Sequence, residues 1–393
     1  MRWFLMIFGV FSGIVWSFLA IRNFWKIRAY GFAHPSPRTT ETDQAQVEAI
    51  VPAHNEERVV EATVRDILAQ DHPGLTLTVI DDQSTDGTGA ILDRLAEELP
   101  GLKVIHGVTR PLGWVGKTWA LSQGVSTASA DWILFVDADM RLHPAALTSA
   151  LAQAEQSGAD LVSFLPKCDC HTIWQAAIGI TLIQTLMIVF PLDRANDPDR
   201  PEAIAAGGFI LVRRSVYERA GGHEAVRSEI IEDINLARNI KAAGGKIVVR
   251  PAPSLLSTHM YGSLAEIWQG LRKNAYAGMD YMPHKYVTGV IAAIGLAWTP
   301  WLCLIAWCVT GHWSTWGRIG LWGVIAQAAT ALPAVIFLQL PAPCIFLLPV
   351  GMTLYAGIAT SSALDYHRGR IVWKGRNLRT DEIFSRPEDE AQP

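Results

Sequence analysis

Trp132-Ile133-Leu134-Phe135-Val136-Asp137-Ala138-Asp139 is an apolar run that ends on two acids, and the chain holds two earlier versions of it. The first is residues 47–51, followed by Pro52-Ala53-His54-Asn55-Glu56-Glu57. The second is residues 75–80, followed by Asp81-Asp82-Gln83-Ser84-Thr85-Asp86-Gly87-Thr88. Residues 103–106 read as another short strand. Between these runs, residues 57–70, 88–99 and 117–128 space their apolar side chains as helices do. Strand and helix in regular alternation predict an α/β fold with a doubly wound, mostly parallel sheet. Ligands of such a sheet gather beyond the carboxyl ends of its strands, which is where these acids stand.

Each acidic segment has a plain reading when taken alone. Residues 81–88 read as a turn in which Asp86 or Ser84 caps the next helix, and Asp137 and Asp139 read as solvated loop residues. Together on one rim they repel unless a cation or a donor-rich ligand neutralises them. Asp-x-Asp after a buried strand suits Mg²⁺ or Mn²⁺, hard cations held by one or two carboxylates while a substrate's phosphates fill other positions. Gly113-Trp114-Val115-Gly116-Lys117-Thr118 is not a P-loop, because its first glycine stands too close to the second. Gly116-Lys117 at a helix start still brings an amide and an ammonium toward a phosphate. The residues therefore predict a divalent cation and a nucleotide diphosphate on an α/β domain.

Composition places this domain beside a membrane. Of 393 residues, 50% are hydrophobic and 18% charged, which excludes disorder, collagen and coiled coil. A net charge of −4 gives no reason to expect nucleic acid as a partner. The 5 cysteines (Cys168, Cys170, Cys303, Cys308, Cys344) have neither a disulfide framework nor zinc-site spacing. Residues 3–21 carry no charge and are long enough for a ~30 Å hydrocarbon core, so they read as an uncleaved anchor. Arg22, Lys26 and Arg28 follow it and only Arg2 precedes it, which puts the body of the chain in the cytoplasm.

Residues 287–310, 319–340 and 344–364 read as three more spans, with Trp298, Trp301, Trp307, Trp313, Trp316 and Trp322 as an interfacial belt. Three C-terminal crossings would put the basic tail (Arg368, Arg370, Lys374, Arg376, Arg379) on the far side, against the charge rule. The charge bias is the firmer guide, so one apolar stretch is expected to be re-entrant or not a span. The uncharged residues 172–192 read either as a buried core helix or, in preference, as a helix on the membrane surface beside an acceptor entrance, and residues 261–281 as another interfacial segment.

The segments Val51 to Glu57, Ile80 to Thr88 and Asp137 to Asp139 resemble the GT-A fold of glycosyltransferase family 2, whose donors are nucleotide sugars. The resemblance runs from about residue 47 to 277. Ala206-Gly207-Gly208-Phe209 with Gly221-Gly222 looks like the family's acceptor-side glycine segment, and Ile231-Glu232-Asp233 like its Glu-Asp motif. Gln269-Gly270-Leu271-Arg272-Lys273 resembles the Gln-x-x-Arg-Trp motif of processive members, but Lys273 replaces the tryptophan, so processive synthesis is not implied. Residues 111–121, Asn196-Asp197-Pro198 and the layout of spans resemble hopanoid-biosynthesis-associated membrane glycosyltransferases. Trp373-Lys374-Gly375-Arg376 resembles the tail of carotenoid-type enzymes.

The resemblance implies roles. Asp82 would meet the nucleotide base, flanked by Asn55 and Glu56, with Asp137 near the ribose and Lys117 near the donor. Asp139 would hold the Mg²⁺ or Mn²⁺, and Asp233 would deprotonate the acceptor, with Gly207, Gly208 and Glu232 on the acceptor side. Arg272 would add positive charge against the diphosphate. Without the resemblance, Glu232-Asp233 is simply an acidic pair at a helix N-terminus.

The implied organisation is an anchor (1–28), a linker (29–46), a GT-A catalytic domain (47–260), interfacial helices (261–286), transmembrane helices (287–366) and a tail (367–393). The implied activity is inverting, metal-dependent transfer of a sugar from a nucleotide-sugar donor to a lipid acceptor of hopanoid, carotenoid or other polyisoprenoid type. Its setting is a bacterial-type inner membrane, with the catalytic domain cytoplasmic. The alternatives are a nucleotidyl or phosphosugar transferase on a similar sheet, which would not need Asp233, and a non-catalytic scaffold, which would tolerate Asp139→Ala.

Overall fold

The computed structural model describes residues 2–189, 192–229, 231–259, 261–279, 281–310, 315–368, 372–373 and 376–377. Trp313, Arg370, Lys374, Gly375 and Arg379 lie outside them, as does the side chain of Lys273. The chain divides into two compact units. One contains Phe32–Cys168 and Pro191–Met260, and the other contains Met1–Gly31, Asp169–Phe190 and Tyr261–Trp373.

The first unit has strands β1 (Val47–Ala53), β2 (Leu75–Asp81), β3 (Leu102–His106), β4 (Trp132–Val136), β5 (Met140–Leu142), β6 (Leu161–Leu165), β7 (Lys167–Cys168), β8 (Phe209–Arg213), β9 (Ile247–Pro251) and β10 (Leu256–Thr258). Seven of them form a sheet in the order β3-β2-β1-β4-β8-β6-β9. All the pairings are parallel except those of β8, which runs antiparallel to β4 and β6. The expected mostly parallel, doubly wound sheet is therefore present.

Alternate residues of each strand face opposite layers. Ile50, Ile80, Ile133 and Phe135 pack on the helices Gly116–Ser126 and Glu232–Ala242 through Ala120, Leu121, Leu236 and Ile240. Val51, Val79, Leu134 and Val136 pack on the other layer, with Val64, Leu92 and Leu147. Gly124 brings the first of these helices down onto the sheet, since a Cβ there would lie 2.6 Å from Ile50 Cγ2.

The reversed β8 matters for the site. Register pairs Val136 with Phe209, so β8 begins on the rim where β4 ends. Gly207 and Gly208 thereby stand beside Asp137, whose N–H points to the Gly208 carbonyl at 3.4 Å. A second sheet, β5-β10-β7, pairs Met140 with Thr258 and brings Asp139 to Thr258 in the same way. Asn196, singled out in the sequence, serves the sheet edge: its amide exchanges two hydrogen bonds with the Val249 backbone, at 3.0 and 2.7 Å.

Among the described residues, the second unit contains 4 helices long and apolar enough to cross a membrane: Met6–Lys26, Pro283–Val309, Thr315–Phe337 and Ala342–His367. Gly317 packs on Trp307, Gly323 packs on Pro300, and Gln327 Nε2 donates to the Ala297 carbonyl at 3.1 Å, so the second and third of these are antiparallel. The first runs parallel to the third, with Gly9 against Ile319, Gly13 against Trp322 and Trp16 accepting from Thr330.

The apolar helix Ile173–Val189 also belongs to this unit. The preferred expectation was a surface helix, but its polar residues Gln175, Thr181 and Gln184 are buried, as in the alternative of a buried helix. Gln184, 4% exposed, accepts from Asn23 Nδ2 at 2.9 Å and donates to the Thr330 carbonyl. Two basic residues toward the end of the first of these helices have a partner at the end of Ile173–Val189: Arg22 and Lys26 donate to the Met187 carbonyl at 3.2 and 3.0 Å. Carbonyls in a last helical turn lack intrahelical donors and attract cations.

Candidate active site

The loops after β1 and β2 are laced to each other. Asn55, in a left-handed conformation (φ 55°), receives the Thr85 N–H on Oδ1 at 2.8 Å, and its own N–H donates to Ser84 Oγ at 3.0 Å. The Glu56 N–H donates to Thr88 Oγ1 at 2.8 Å. Asp82 is 4% exposed, its N–H bonded to the Ala53 carbonyl and its own carbonyl 2.7 Å from His54 Nδ1. Asp86 and Asp81 are used inside the turn, accepting from Thr88 and from the Ser84 N–H. The turn reading thus describes those two acids, while Asn55, Glu56 and Asp82 line up along the two loop edges.

After β4 the chain is pinned from below, because Thr63 Oγ1 lies 2.6 and 2.9 Å from the carbonyls of Ala138 and Met140. Asp139 Oδ2 accepts from Thr258 Oγ1 at 3.0 Å. Burial, and then the neighbouring Asp137 charge, push the Asp139 carboxyl above the usual range. A carboxylate raised in this way is short of positive charge, which is the condition a divalent cation relieves, and two oxygen-bearing acids are the right donors for Mg²⁺ or Mn²⁺. The described residues contain no group of three or more His, Cys, Asp or Glu gathered for a metal, so the remaining positions would fall to other oxygen donors.

The strongest electrostatic feature is centred on Lys117. It stands in the first turn of Gly116–Ser126, with Nζ 2.7 Å from Asp137 Oδ1 and 2.8 Å from Glu232 Oε1. Burial works against its charge, but Asp137, Glu232 and Asp233 outweigh it and hold the ammonium well above its ordinary value. A Cβ on Gly207 would lie 2.9 Å from this Nζ, so a larger residue there would displace the ammonium from its present position. Asp233, in the first turn of Glu232–Ala242, accepts the Gly207 N–H on Oδ2 at 2.8 Å and the Ile234 N–H on Oδ1 at 2.9 Å. Burial first, and the Glu232 charge second, raise its carboxyl to about 7, against the opposing pull of Lys117 and the two N–H groups. A carboxyl group poised near neutrality and fixed by backbone donors is what general-base chemistry needs.

One pocket is lined by Lys117, Asp137, Gly207, Glu232 and Asp233, with Phe135, Leu121, Ile210 and Leu236 as apolar wall. The structure therefore gathers Lys117, Asp137, Gly207, Glu232 and Asp233 from four separate motifs. Gly208 is at the same rim but serves packing, since a Cβ there would lie 2.8 Å from Met140 Sδ. Arg272 belongs to the membrane unit, where its Nε lies 3.0 Å from Asp365 Oδ2. Sequence reasoning missed His223, which lines the pocket, and Thr258, which holds Asp139. A lone histidine after two glycines and a lone threonine on a short strand carry no periodic signal.

Residues 48–221 match the family model described as Glycosyl transferase family 2. The 4,4'-diaponeurosporenoate glycosyltransferase of Staphylococcus haemolyticus is 27% identical over 276 residues, covering 68% of this chain and 71% of that protein. A probable glycosyltransferase of Bacillus subtilis, YdaM, is 24% identical over 295 residues, covering 72% of this chain and 68% of that one. Among solved structures, the mannosyltransferase PcManGT from Pyrobaculum calidifontis, in complex with GDP-Man and Mn²⁺, aligns with a TM-score of 0.53 at 19% identity. It covers 92% of this chain and 98% of that one, and the likeness is one of fold.

Proposed function

We propose, from a chain whose residues 48–221 are a family 2 glycosyltransferase domain, that it transfers a sugar from a nucleotide-sugar donor to a lipid acceptor, by direct displacement with inversion. The observation that carries this reading is the Asp233 carboxyl, held by two backbone N–H groups and raised to about 7 beside the Lys117–Asp137–Glu232 cluster. In this reading Asp82, Asn55 and Glu56 receive the nucleotide and Asp137 lies toward its ribose. Asp233 takes the proton of the acceptor hydroxyl as its oxygen bonds to the anomeric carbon, and the bond to phosphate breaks with its electron pair leaving on the diphosphate. One base and one displacement give inversion, because retention by double displacement needs a carboxylate nucleophile as well.

Asp139, with Asp137 beside it, would hold a divalent cation, which when bound supplies Lewis-acid compensation for charge on the leaving diphosphate. Lys117 contributes fixed positive charge close to the reacting groups. The apolar helices, together with relatives named for a carotenoid-type acid, support a hopanoid, carotenoid or other polyisoprenoid-like acceptor in the bilayer. The basic residues Arg22, Lys26 and Arg28 support a cytoplasmic catalytic domain in a bacterial-type inner membrane.

The test is incubation of membranes containing the protein with a panel of nucleotide sugars and lipid extracts, read by mass spectrometry. Wild type should yield a glycolipid with at least one donor and Asp233→Asn none. Absence of product with every donor, or equal activity of Asp233→Asn, refutes the reading.

A further inference from the structure

His223 is buried at 3% exposure and lines the same pocket as Asp233 and Lys117. Its ring is gripped from behind by Tyr217. The Tyr217 hydroxyl accepts the His223 backbone N–H at 2.9 Å and lies 2.8 Å from His223 Nδ1. Gly222 makes the grip possible, because its φ is +54° and a Cβ there would lie 2.9 Å from the Tyr217 hydroxyl oxygen.

These contacts assign the protons. If Nδ1 carried hydrogen, the Tyr217 hydroxyl would accept twice and its own proton would lack an acceptor among the described residues, a costly state at 4% exposure. The hydroxyl therefore donates to Nδ1, and the ring proton sits on Nε2. Burial, and then the Lys117 charge, lower the imidazole to about 3, so the ring is neutral. His223 thus carries a fixed, uncharged Nε2–H on a ring that lines the pocket. Phe135, edge-on to the ring at 4.8 Å, holds the plane.

The pocket has room for about one water-sized group, such as a hydroxyl. Deepening the reading above, and resting on it, we infer that His223 Nε2–H donates to the oxygen of the acceptor's hydroxyl while that hydroxyl's own proton points to Asp233. A hydroxyl can accept one hydrogen bond and donate another. A carboxylate only accepts, and would add negative charge beside Asp137, Glu232 and Asp233, where Lys117 is already shared by two acids. On this geometry the reacting group is a lipid alcohol rather than a lipid acid, so the support from relatives named for a carotenoid-type acid extends to the apolar body of the acceptor and not to its reacting group. In the transfer the hydroxyl proton passes to Asp233, the oxygen–anomeric carbon bond forms, the bond to phosphate breaks with its pair on the diphosphate, and His223 keeps its proton. Tyr217 is a positioning residue acting through His223.

Two measurements on the full-length protein test this. In ¹⁵N-histidine-labelled protein, with His223→Gln to assign the signal, the side-chain spectrum should show a neutral ring protonated on Nε2 from pH 5 to pH 8. An Nδ1–H ring or an imidazolium in that range overturns the assignment. The second uses the donor found active in the panel above and the matching native lipid extract, either acetylated to block hydroxyls or methyl-esterified to block carboxyls. The esterified extract should remain an acceptor and the acetylated one should not. His223→Leu should lower the acceptor-dependent rate by about tenfold, the worth of one hydrogen bond, with the donor KM unchanged, and His223→Gln should restore most of it. A change confined to the donor KM, a wild-type rate in His223→Leu, or activity surviving acetylation but not esterification overturns the proposal. If no donor gives product, the transferase reading falls, while the ring assignment stands or falls separately in the spectrum.

Discussion

Asp233 concentrates the argument at the scale of single residues, since both its carboxylate oxygens are held by backbone N–H groups and its carboxyl is raised to about 7. A base must be unprotonated to work. Activity should therefore be low below pH 6, rise through about 7 and level off above it, provided Asp233 limits the acidic side. Initial rates in a wide-range buffer at saturating donor check this, and Asp233→Asn should lose roughly 10²-fold to 10⁴-fold, the usual worth of a positioned base. An acidic limb centred near 4 would show that the burial argument is wrong. Several of these residues were legible from type and position: acids directly after apolar runs single out Asp82, Asp137 and Asp139. The place of Lys117 was only half legible. A lysine at a helix start suggests a phosphate, but its bonds to Asp137 and Glu232 depend on three distant segments meeting, which no spacing encodes.

At the scale of elements, alternation of apolar runs and helical spacing announces the sheet, because burial on both faces demands it. It does not announce that β8 is antiparallel, since a buried strand has the same composition in either direction. That reversal is what delivers Gly207 to Asp137 and Asp233. The helix Ile173–Val189 shows the same limit from the apolar side, because an uncharged helix buries or floats according to what its few polar residues meet. Asn23 and Gln184 meet each other at 2.9 Å in the apolar unit. Removing one partner leaves the other amide short of a bond, whereas removing both does not. Asn23→Leu and Gln184→Leu should each lower the melting temperature in detergent, and the double variant should lose less than the sum, with a coupling of about 0.6 kcal/mol. Strict additivity would mean that the pair is incidental.

At the scale of the molecule, the unresolved expectation was the side on which the basic tail emerges, and the helix directions within the apolar unit bear on it. Tyr286 bonds Thr360 at 2.9 Å, Trp298 bonds Thr353 at 2.8 Å, and the Trp301 and Phe346 rings lie 6.2 Å apart. The last helix therefore runs antiparallel to Pro283–Thr310, and so does Thr315–Phe337. Two successive helices that both oppose a third are parallel to each other. The chain after Phe337 must climb back before it descends again, and the turn at Gln339 (φ 56°) with the short helical stretch Ala342–Leu347 makes that return. Asp365 beside Arg272, and Tyr366 with its ring centroid 5.3 Å from that of Tyr276, end the last helix level with the start of the second span. The described part of residues 261–282 contains the polar 12-residue helix Leu264–Ala275 and the one-turn helix Ala277–Met279, both too short to cross a bilayer. The tail should then emerge on the side of the catalytic domain, which is the cytoplasmic side in the orientation proposed above from Arg22, Lys26 and Arg28. The number of apolar segments was legible in the sequence, but their directions were not, because hydropathy has no sign along the membrane normal. A phosphatase fused after Arg379 should be silent and a fluorescent protein there bright, as they are for cytoplasmic ends. The same reporters placed after His312 should give the opposite result. A phosphatase active after Arg379 would mean that the last helix makes a full crossing of its own and that the basic tail defies the charge rule.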